Sequence, residues 1–246
     1  MKIIPLSEGS FTVDKTKTFI PFNKDSDTLQ QRATGSLLVE IQPFAVITKN
    51  DVLLLDTGLG FHTNGIMQLH QNLLNNGINP ADVSKVLLSH LHKDHAGGIE
   101  DKKDNSVQAT LGFPNATYYV NRKELAFATE NKNTSYIPED FSLLNSSGKL
   151  VLLHDEGIID DYIHYEMSGA HCPYHTVFWI KENNETFFYG GDVAPQLQQM
   201  KNRFIAKYDF DGRKSMQLRT KWWEEGKQQH WTFLFYHDIN TPTFSS

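Results

Sequence analysis

The sequence has little cysteine, no long apolar run and no excess of basic residues. Cys172 is the only cysteine, so an intramolecular disulfide is impossible. No stretch approaches the roughly 20 consecutive apolar residues that a membrane span needs, and the first residues lack the apolar core of a signal peptide. The net charge of −6 disfavours binding to a phosphate backbone. We therefore expect a cytoplasmic protein that binds neither a membrane nor nucleic acid.

The 246 residues, 39% of them hydrophobic, are sufficient for a sizeable core. Since no linker, low-complexity run or repeat divides the chain, we expect a single domain over residues 1–246. Strands and helices are predicted to alternate, which favours a layered α/β protein with mixed sheets. The clearest predicted elements are a hairpin at Phe44–Asp56, a buried strand at Val83–Leu88, helices at Arg122–Thr129 and Ser215–Lys227, and a closing strand at Trp231–Tyr236.

A histidine cluster follows the predicted strand at Val83–Leu88. Four potential metal ligands occupy six residues, namely His90, His92, Asp94 and His95. On an extended backbone, alternate side chains share a face, so His90 and His92 point the same way. Neutral imidazole and carboxylate are good ligands for zinc. The cluster alone indicates a metal site, with a solvated histidine-rich turn as the alternative.

Further potential ligands occur at the ends of other strand-like runs. His171 follows the run at 163–167, Asp192 follows the run at 186–189, and His237 follows the closing strand. Asp56 ends the predicted hairpin. Loops at the ends of strands are where α/β proteins gather functional groups, so these residues are expected to meet the histidine cluster.

The HxHxDH motif at His90–His95, together with its companions in this order, resembles the metallo-β-lactamase superfamily. The resemblance extends over nearly the whole chain, from Asp56 to His237. It implies an α/β (α+β) fold, the four-layer αβ/βα sandwich. In that fold two mixed sheets lie face to face, helices cover them outside, and the metal site lies at one edge.

The resemblance also implies two divalent metal ions and their ligands. Zn²⁺ is the expected metal, although Mn, Fe or Co use the same ligands. The first metal would be held by His90, His92 and His171. The second would be held by Asp94, His95 and His237. Asp192 would bridge both ions, and Asp56 would orient ligand imidazoles. Asp94 and Asp192 are therefore the carboxylates expected at the catalytic centre, with a metal-bound hydroxide as nucleophile.

The layout after Asp192 resembles the branch of N-acyl-homoserine lactonases and methyl parathion hydrolase-like enzymes. This branch implies hydrolysis of a small ester, lactone or phosphotriester. In the best-known lactonases a tyrosine three positions past the bridging aspartate contacts the substrate oxygen, whereas this chain has Pro195 there. Tyr189, Tyr208 and Tyr236 are the candidates for replacing it.

The substrate is expected to be a small molecule bound between long connections. Residues 100–113 and 129–147 are predicted to form walls of the pocket, and Phe113, Tyr189 and Tyr208 are its candidate lining residues. Tyr136, Ile137 and Phe141 are further candidates for an apolar pocket wall, with simple surface packing as the alternative.

Three residues close to the ligands are expected to play other roles. Cys172 is expected to be a small buried or half-buried thiol rather than a ligand. His175 is expected to pack under the site. Lys93, between two predicted ligands, is expected to face solvent, with a position facing the substrate as the alternative.

Four other functions remain open. A glyoxalase II-like thioesterase shares the seven ligands, but no clear Arg/Lys set lies near the C-terminus to bind a glutathione tail. The acidic charge disfavours an RNase Z-like phosphodiesterase, and His92 disfavours a redox di-iron protein because that branch has a carboxylate there. A non-catalytic metal-binding domain is the alternative of another class. The oligomeric state, including a homodimer, is not determined by the sequence.

Overall fold

The computed structural model describes residues 1–102 and 109–246, so part of the connection predicted at 100–113 lies outside the described residues. In chain order, the strands are β1 Lys2–Pro5, β2 Gly9–Val13, β3 Phe19–Pro21, β4 Leu37–Ile41, β5 Phe44–Ile47, β6 Val52–Leu55, β7 His62–Thr63, β8 Ile66–Met67, β9 Lys85–Leu87, β10 Glu100–Asp101, β11 Thr110–Leu111, β12 Thr117–Asn121, β13 Leu150–Leu153, β14 Glu156–Ile159, β15 Ile163–Met167, β16 Thr176–Glu182, β17 Glu185–Tyr189, β18 Thr232–Leu234 and β19 Thr243–Ser245.

Five α-helices and five short 3₁₀ segments complete the described elements. The helices are α1 Gln68–Asn75, α2 Lys93–Ala96, α3 Arg122–Glu130, α4 Leu197–Lys201 and α5 Gly212–Gln229. The 3₁₀ segments are Leu29–Gln31, Pro80–Asp82, Pro138–Asp140, Leu144–Ser146 and Gly191–Val193.

Two six-stranded mixed sheets form the centre of the molecule. The first has the order β1-β5-β6-β9-β12-β13, and the second has the order β14-β15-β16-β17-β18-β19. In the first sheet β6, β9, β12 and β13 are parallel, while β5 and β6 form the predicted hairpin with Phe44 opposite Leu55. In the second sheet β17 and β18 are parallel and the other pairs are antiparallel.

The two sheets pack face to face because alternate residues of each strand point to opposite sides. In β6, Leu53 and Leu55 contact the core between the sheets, where they meet Phe178 and Ile180 of the second sheet. Leu54, between them, points the other way into a core beneath the helices. A strand buried on both faces reads as a continuous apolar run, and Val52–Leu55 is such a run.

Helices cover the outer face of each sheet. Leu69 of α1 and Leu125 of α3 belong to the core on the first sheet. Trp222 of α5 packs on Phe188 of the second sheet, with ring centroids 4.9 Å apart. The four-layer αβ/βα arrangement expected from the resemblance is therefore confirmed, while the single domain over residues 1–246 stays a prediction. Within residues 1–102 and 109–246, the structure has no helix of sufficient length and apolarity to span a bilayer.

Element boundaries differ from the sequence predictions by a few residues. Helix α5 begins at Gly212 rather than Ser215, because the side chain of Asp211 caps it by accepting a hydrogen bond from the Lys214 amide at 2.9 Å. The sequence did not predict the small N-terminal sheet, with the order β3-β2-β4.

Candidate metal centre

The predicted ligands come together where several strands end. Asp56 follows β6, the histidine cluster follows β9, and His171 follows β15, while Asp192 follows β17 and His237 follows β18. These strands run in the same direction within each sheet, so their carboxyl ends meet at one edge of the sandwich.

One set of donor atoms converges at this edge, and its members are His90, His92, His171 and Asp192. The Nε2 of His90 lies 2.9 Å from the Nδ1 of His92, which lies 3.2 Å from the Nε2 of His171. That Nε2 lies 3.3 Å from the Oδ2 of Asp192. Ligand atoms bound tetrahedrally to zinc at about 2.0–2.1 Å are about 3.3 Å apart, so the spacing fits a metal ion.

A second set is formed by Asp94, His95 and His237. The other carboxylate oxygen of Asp192, Oδ1, lies 3.1 Å from the Nε2 of His95 and 3.0 Å from the Nε2 of His237. The Oδ2 of Asp94 lies 3.7 Å and 3.6 Å from the same two nitrogens. Asp192 therefore faces each set with a different oxygen.

Unsatisfied atoms within the second set also fit a cation. The Nε2 of His95 and the Oδ1 of Asp192 are buried, and neither has a hydrogen-bond partner among the described residues despite their short separation. A buried polar atom without a partner costs about 1–3 kcal/mol. A metal ion between them would satisfy both atoms, so the donor set fits the group that the resemblance implies.

The electrostatics of the first set favour the protonation states that metal ligands need. Burial, reinforced by neighbouring imidazoles, holds the pKa of His90 and of His92 well below the ordinary value, so both rings are neutral. Burial opposes ionisation of Asp192, but His237, His95 and His171 outweigh it and hold the pKa of this carboxyl well below its ordinary value. Neutral imidazole and ionised carboxylate are the states that bind metal.

The second set has an excess of negative charge. Burial opposes protonation of His95, but the carboxylates of Asp192, Asp94 and Asp56 outweigh it and hold its pKa well above the ordinary value. An imidazole that is driven to bind a proton occupies a place where a cation is favoured. A metal ion would supply that positive charge in place of the proton.

Asp56 contacts the imidazole of His95, one of the predicted ligands. Its Oδ2 lies 2.7 Å from the Nδ1 of His95, on the side of the ring away from the donor set. The same carboxylate accepts hydrogen bonds from the Ser89 amide and hydroxyl and from the Tyr189 hydroxyl. These bonds fix Asp56, which in turn fixes the tautomer and orientation of the His95 ring.

The outer nitrogens of other ligand rings have partners that the sequence did not identify. The Nδ1 of His171 lies 2.9 Å from the Oδ1 of Asp209, and the Nδ1 of His237 lies 2.7 Å from the carbonyl oxygen of Glu40. The Asp209 pair spans 38 residues of sequence and the Glu40 pair spans 197. No local pattern marks such residues, because the contact exists only in the folded chain.

Glu124 is a further residue whose role the sequence did not indicate. It is fully buried on α3 and accepts hydrogen bonds from the Leu91 amide, between two ligands, and from the Tyr136 hydroxyl. Cys172, next to His171, donates its thiol to the same carboxylate at 3.5 Å. Burial raises the pKa of the Glu124 carboxyl. Glu124 thus joins the segments that carry three ligands of the first set, and Cys172 lies outside both sets.

His175 lies beneath the centre, and its partners define its tautomer. The Asp192 amide donates to the Nε2 of His175 at 3.2 Å, and Ser168 uses its hydroxyl hydrogen on the His175 carbonyl. The Nδ1 of His175 therefore carries the proton and donates to the Ser168 oxygen at 3.1 Å. Gly191 has φ +48°, and a Cβ there would meet the Nε2 of His175 at 2.7 Å. His175 and Gly191 together fix the backbone that carries Asp192.

A cavity of about 470 Å³ opens beside the two sets of ligands. Its apolar lining comes from the N-terminal sheet and from the segment after α4, namely Val13, Phe19, Leu37, Val39, Phe204 and Phe210. The expectation that the connections at 100–113 and 129–147 supply the walls is wrong for the aromatic residues named there. Phe113 and Tyr136 are buried in the core of the first sheet, because the sheet's outer face offers them full burial.

Three tyrosines are candidates for the substrate contact that Pro195 does not make, and their environments differ. Tyr189 does not line the cavity, because it is fully buried and its hydroxyl is bound by Asp56. Tyr236 donates its hydroxyl to the Asp94 carbonyl and stacks on His95 at 4.0 Å. Tyr208 lines the cavity, with its ring centroid 6.1 Å from that of His171.

Lys93 lines the same cavity, which corrects the expectation that it faces solvent. Its ammonium group lies 5.8 Å from the centroid of the Phe19 ring, so the side chain leans toward the N-terminal sheet. The sequence could not indicate this direction, because the N-terminal sheet was not predicted.

Comparison with known proteins places these observations in a family. A family model described as the metallo-beta-lactamase superfamily matches residues 39–237. The chain is similar to the N-acyl homoserine lactonase AttM of Agrobacterium fabrum, with 29% identity over 162 residues, which are 58% of this chain and 55% of that protein. It is also similar to the N-acyl homoserine lactonase AiiB of the same organism, with 30% identity over 161 residues, covering 56% of this chain and 55% of that protein. The matched region spans about half the length of these curated relatives.

Solved structures share the fold over almost the entire chain. A probable metal-dependent hydrolase from Staphylococcus aureus superposes with a TM-score of 0.79 at 22% identity, covering 99% of this chain and 91% of that one. AidC, described as a dizinc quorum-quenching lactonase, superposes with a TM-score of 0.74 at 21% identity, covering 98% of this chain and 88% of that one.

Proposed function

The chain belongs to the metallo-β-lactamase superfamily, and on that premise we propose that it is a two-metal hydrolase of a small ester or lactone. The observation that carries the proposal is the position of Asp192, whose two oxygens face two separate sets of histidines. One carboxylate that serves two ligand sets is suited to bridging two cations, and a single structural metal has no need of it. The similar curated proteins are named as lactonases, which supports a lactone as the substrate.

The ions are proposed to be Zn²⁺, because the donors are mainly imidazoles with few carboxylates. When bound, two such ions lower the pKa of a shared water toward neutrality and polarise the oxygen of the substrate. A similar solved structure is described as a dizinc enzyme, which supports this assignment. Mn, Fe or Co remain alternatives that metal analysis distinguishes.

Tyr208 is proposed to take the role of the tyrosine that the best-known lactonases have at the position of Pro195. Its hydroxyl is held by the Gln199 amide at 3.2 Å, and burial raises its pKa to about 12. The phenol therefore stays protonated at neutral pH and donates a hydrogen bond to the oxygen on which negative charge develops. Pro195 supplies no such donor, although its carbonyl holds the backbone of His237 at 3.0 Å.

The apolar wall of the cavity is proposed to bind the carbon chain of the substrate. Phe204 and Phe210 are exposed, Phe210 to 69%, and face the same opening as Leu37. Large exposed aromatic residues at the mouth of a cavity bury apolar surface when a ligand enters, which is favourable by about 25 cal/mol per Å². A substrate with an alkyl or acyl chain suits this wall.

The test combines metal analysis with two variants and a matched control. We expect about two equivalents of metal in the purified protein and turnover of at least one member of a panel of aliphatic esters and lactones. His90→Ala and Asp192→Ala are expected to lose metal and activity together. His154→Ala removes an exposed histidine away from both sets and should retain both. Full activity of the metal-stripped protein or of Asp192→Ala would contradict the proposal.

A blank panel with both metals bound would favour the non-catalytic metal-binding domain. The cytoplasmic location stays a prediction.

A further inference from the structure

We propose that Lys17 and Lys93 form an anion subsite in the cavity, so that the substrate carries a negative group remote from the bond that is cut. The chemical class is an ester or lactone with a distal carboxylate or similar monoanion. The identity of the substrate rests on the proposed function, whereas the binding of an anion at this subsite does not.

Lys93 is held in place by the backbone around the first set of ligands. It lies between His92 and Asp94, and its amide donates to the Ser135 carbonyl at 2.8 Å. The side chain is half-buried, and its ammonium group lies above the Phe19 ring inside the cavity. A cation over an aromatic face is stabilised by about 0.5–1 kcal/mol, which keeps Lys93 pointing into the cavity.

Lys17 approaches the same cavity from the turn between β2 and β3. Its backbone has φ +58°, and its amide donates to the Asp14 carbonyl at 3.0 Å. The side chain is half-buried and lines the cavity with Val13 and Phe19. The two lysines therefore line one cavity, Lys93 from the segment after β9 and Lys17 from the turn between β2 and β3.

Neither ammonium group has an acidic partner among the described residues. Most of the other described lysines without an ion pair are exposed, whereas these two are half-buried. Other lysines form ion pairs, namely Lys24 with Glu40, Lys85 with Asp51, Lys102 with Asp140, Lys123 with Asp155 and Lys132 with Glu139. Two half-buried cations that share a cavity and lack partners are therefore placed to receive an external anion.

The carboxylates that line the cavity face the histidines of the two sets. Asp94 and Asp192 belong to the ligand sets, and Asp209 contacts the His171 ring. None of the three forms an ion pair with either lysine in the described part of the chain. A neutral ester or lactone gains no Coulomb attraction from two additional positive charges beside a metal centre, whereas an anionic one is attracted by both.

The first experiment measures binding of 1-hexanesulfonate, with 1-hexanol as the neutral probe, by isothermal titration calorimetry on the metal-loaded protein. The sulfonate is a poor metal ligand, and its alkyl chain suits the apolar wall. We expect each of Lys17→Gln and Lys93→Gln to weaken sulfonate binding by about 4- to 10-fold, the Coulomb effect of one charge near a protein surface, and the double variant to weaken it further. Lys15→Gln, an exposed neighbour outside the cavity, removes the same charge as a control.

Two results would overturn the subsite. One is wild-type binding of hexanesulfonate no tighter than that of hexanol. The other is a loss in Lys15→Gln as large as in Lys17→Gln or Lys93→Gln, since the effect would then come from net charge alone.

The second experiment connects the subsite to turnover. The ratio of kcat/KM for 4-nitrophenyl hydrogen suberate, an anion, to that for its neutral methyl ester is expected to exceed one. In the double variant the ratio is expected to fall by about tenfold or more. An unchanged ratio would contradict the role of the subsite in substrate choice. No turnover of either ester would contradict hydrolysis of such esters, while the binding experiment would still decide the subsite.

Discussion

Replacing Asp209 with asparagine is expected to weaken metal binding at the first set of ligands while leaving the fold intact. Asp209 is fully buried at its side chain, and its Oδ1 lies 2.9 Å from the Nδ1 of His171. Asparagine keeps the shape and one acceptor oxygen, so the ring keeps a partner. What is lost is the negative charge behind the imidazole, which raises its basicity toward a metal.

The size of the effect follows from the kind of hydrogen bond that is changed. A bond to a charged acceptor contributes about 1.5–3 kcal/mol, against about 0.5–1.5 for a neutral one. The difference of about 1–1.5 kcal/mol corresponds to roughly a 5- to 13-fold increase in the Kd for the metal. Asp209→Ala also leaves the buried Nδ1–H of His171 without a partner, so its effect should approach the upper end of the 10- to 100-fold range.

The assay is a competition titration of the metal against a chromophoric chelator at constant pH. Asp211→Asn provides a matched control, because it makes the same charge change two residues away at an exposed helix cap that asparagine serves equally well. An increase in Kd for Asp209→Asn no larger than that for Asp211→Asn would refute the argument that Asp209 tunes the His171 ligand.

Three further predictions concern other residues around the centre. Tyr208→Phe should reduce kcat by about 10- to 100-fold with unchanged metal content, because one donor to the developing oxyanion is lost; steady-state kinetics with metal analysis decides this, and unchanged kcat contradicts it. Gly191→Ala should destabilise the protein by more than about 2 kcal/mol because its Cβ would collide with His175, whereas Gly148→Ala, at φ +67° with no atom within 4 Å, should cost only about 1 kcal/mol in urea denaturation. Burial raises the pKa of Glu8 to about 8 from 4.5, so the folded chain holds a proton that the unfolded chain releases. The free energy of unfolding should therefore fall from pH 5 to pH 8, and Glu8→Gln should remove roughly 3–5 kcal/mol of that fall; an equal fall in both proteins contradicts the assignment.

The residues of the two donor sets could be predicted to meet, because their signal is local. Four of them occupy the short segment His90–His95 directly after an apolar strand, and the others follow strands that also read as apolar runs. The layers could be predicted for the same reason, since a strand such as Val52–Leu55 is buried on both faces and must have partners on each side. Both inferences depend on neighbours in sequence.

The residues that support the ligands could not be predicted, because their roles exist only across long separations. Glu124 lies 33 residues from Leu91 and 48 from Cys172, and a glutamate at the start of an amphipathic helix ordinarily faces solvent. Here the carboxylate is fully buried because three donors from separate segments satisfy it. A sequence pattern predicts the helix, but it does not predict which donors will contact the Glu124 carboxylate.

The lining of the pocket, like the residues that support the donor sets, has no local signal in the sequence. Phe113 and Tyr189 were expected in the cavity because large aromatic residues often line pockets, yet full burial in a core removes more apolar surface from water than a place on a cavity wall. The wall is instead built partly by Phe19 and Leu37, which belong to strands of three to five residues in a segment with no strong periodicity. This segment also carries Lys17. On the present proposal, the segment with the weakest sequence pattern therefore helps to distinguish an anionic substrate from a neutral one.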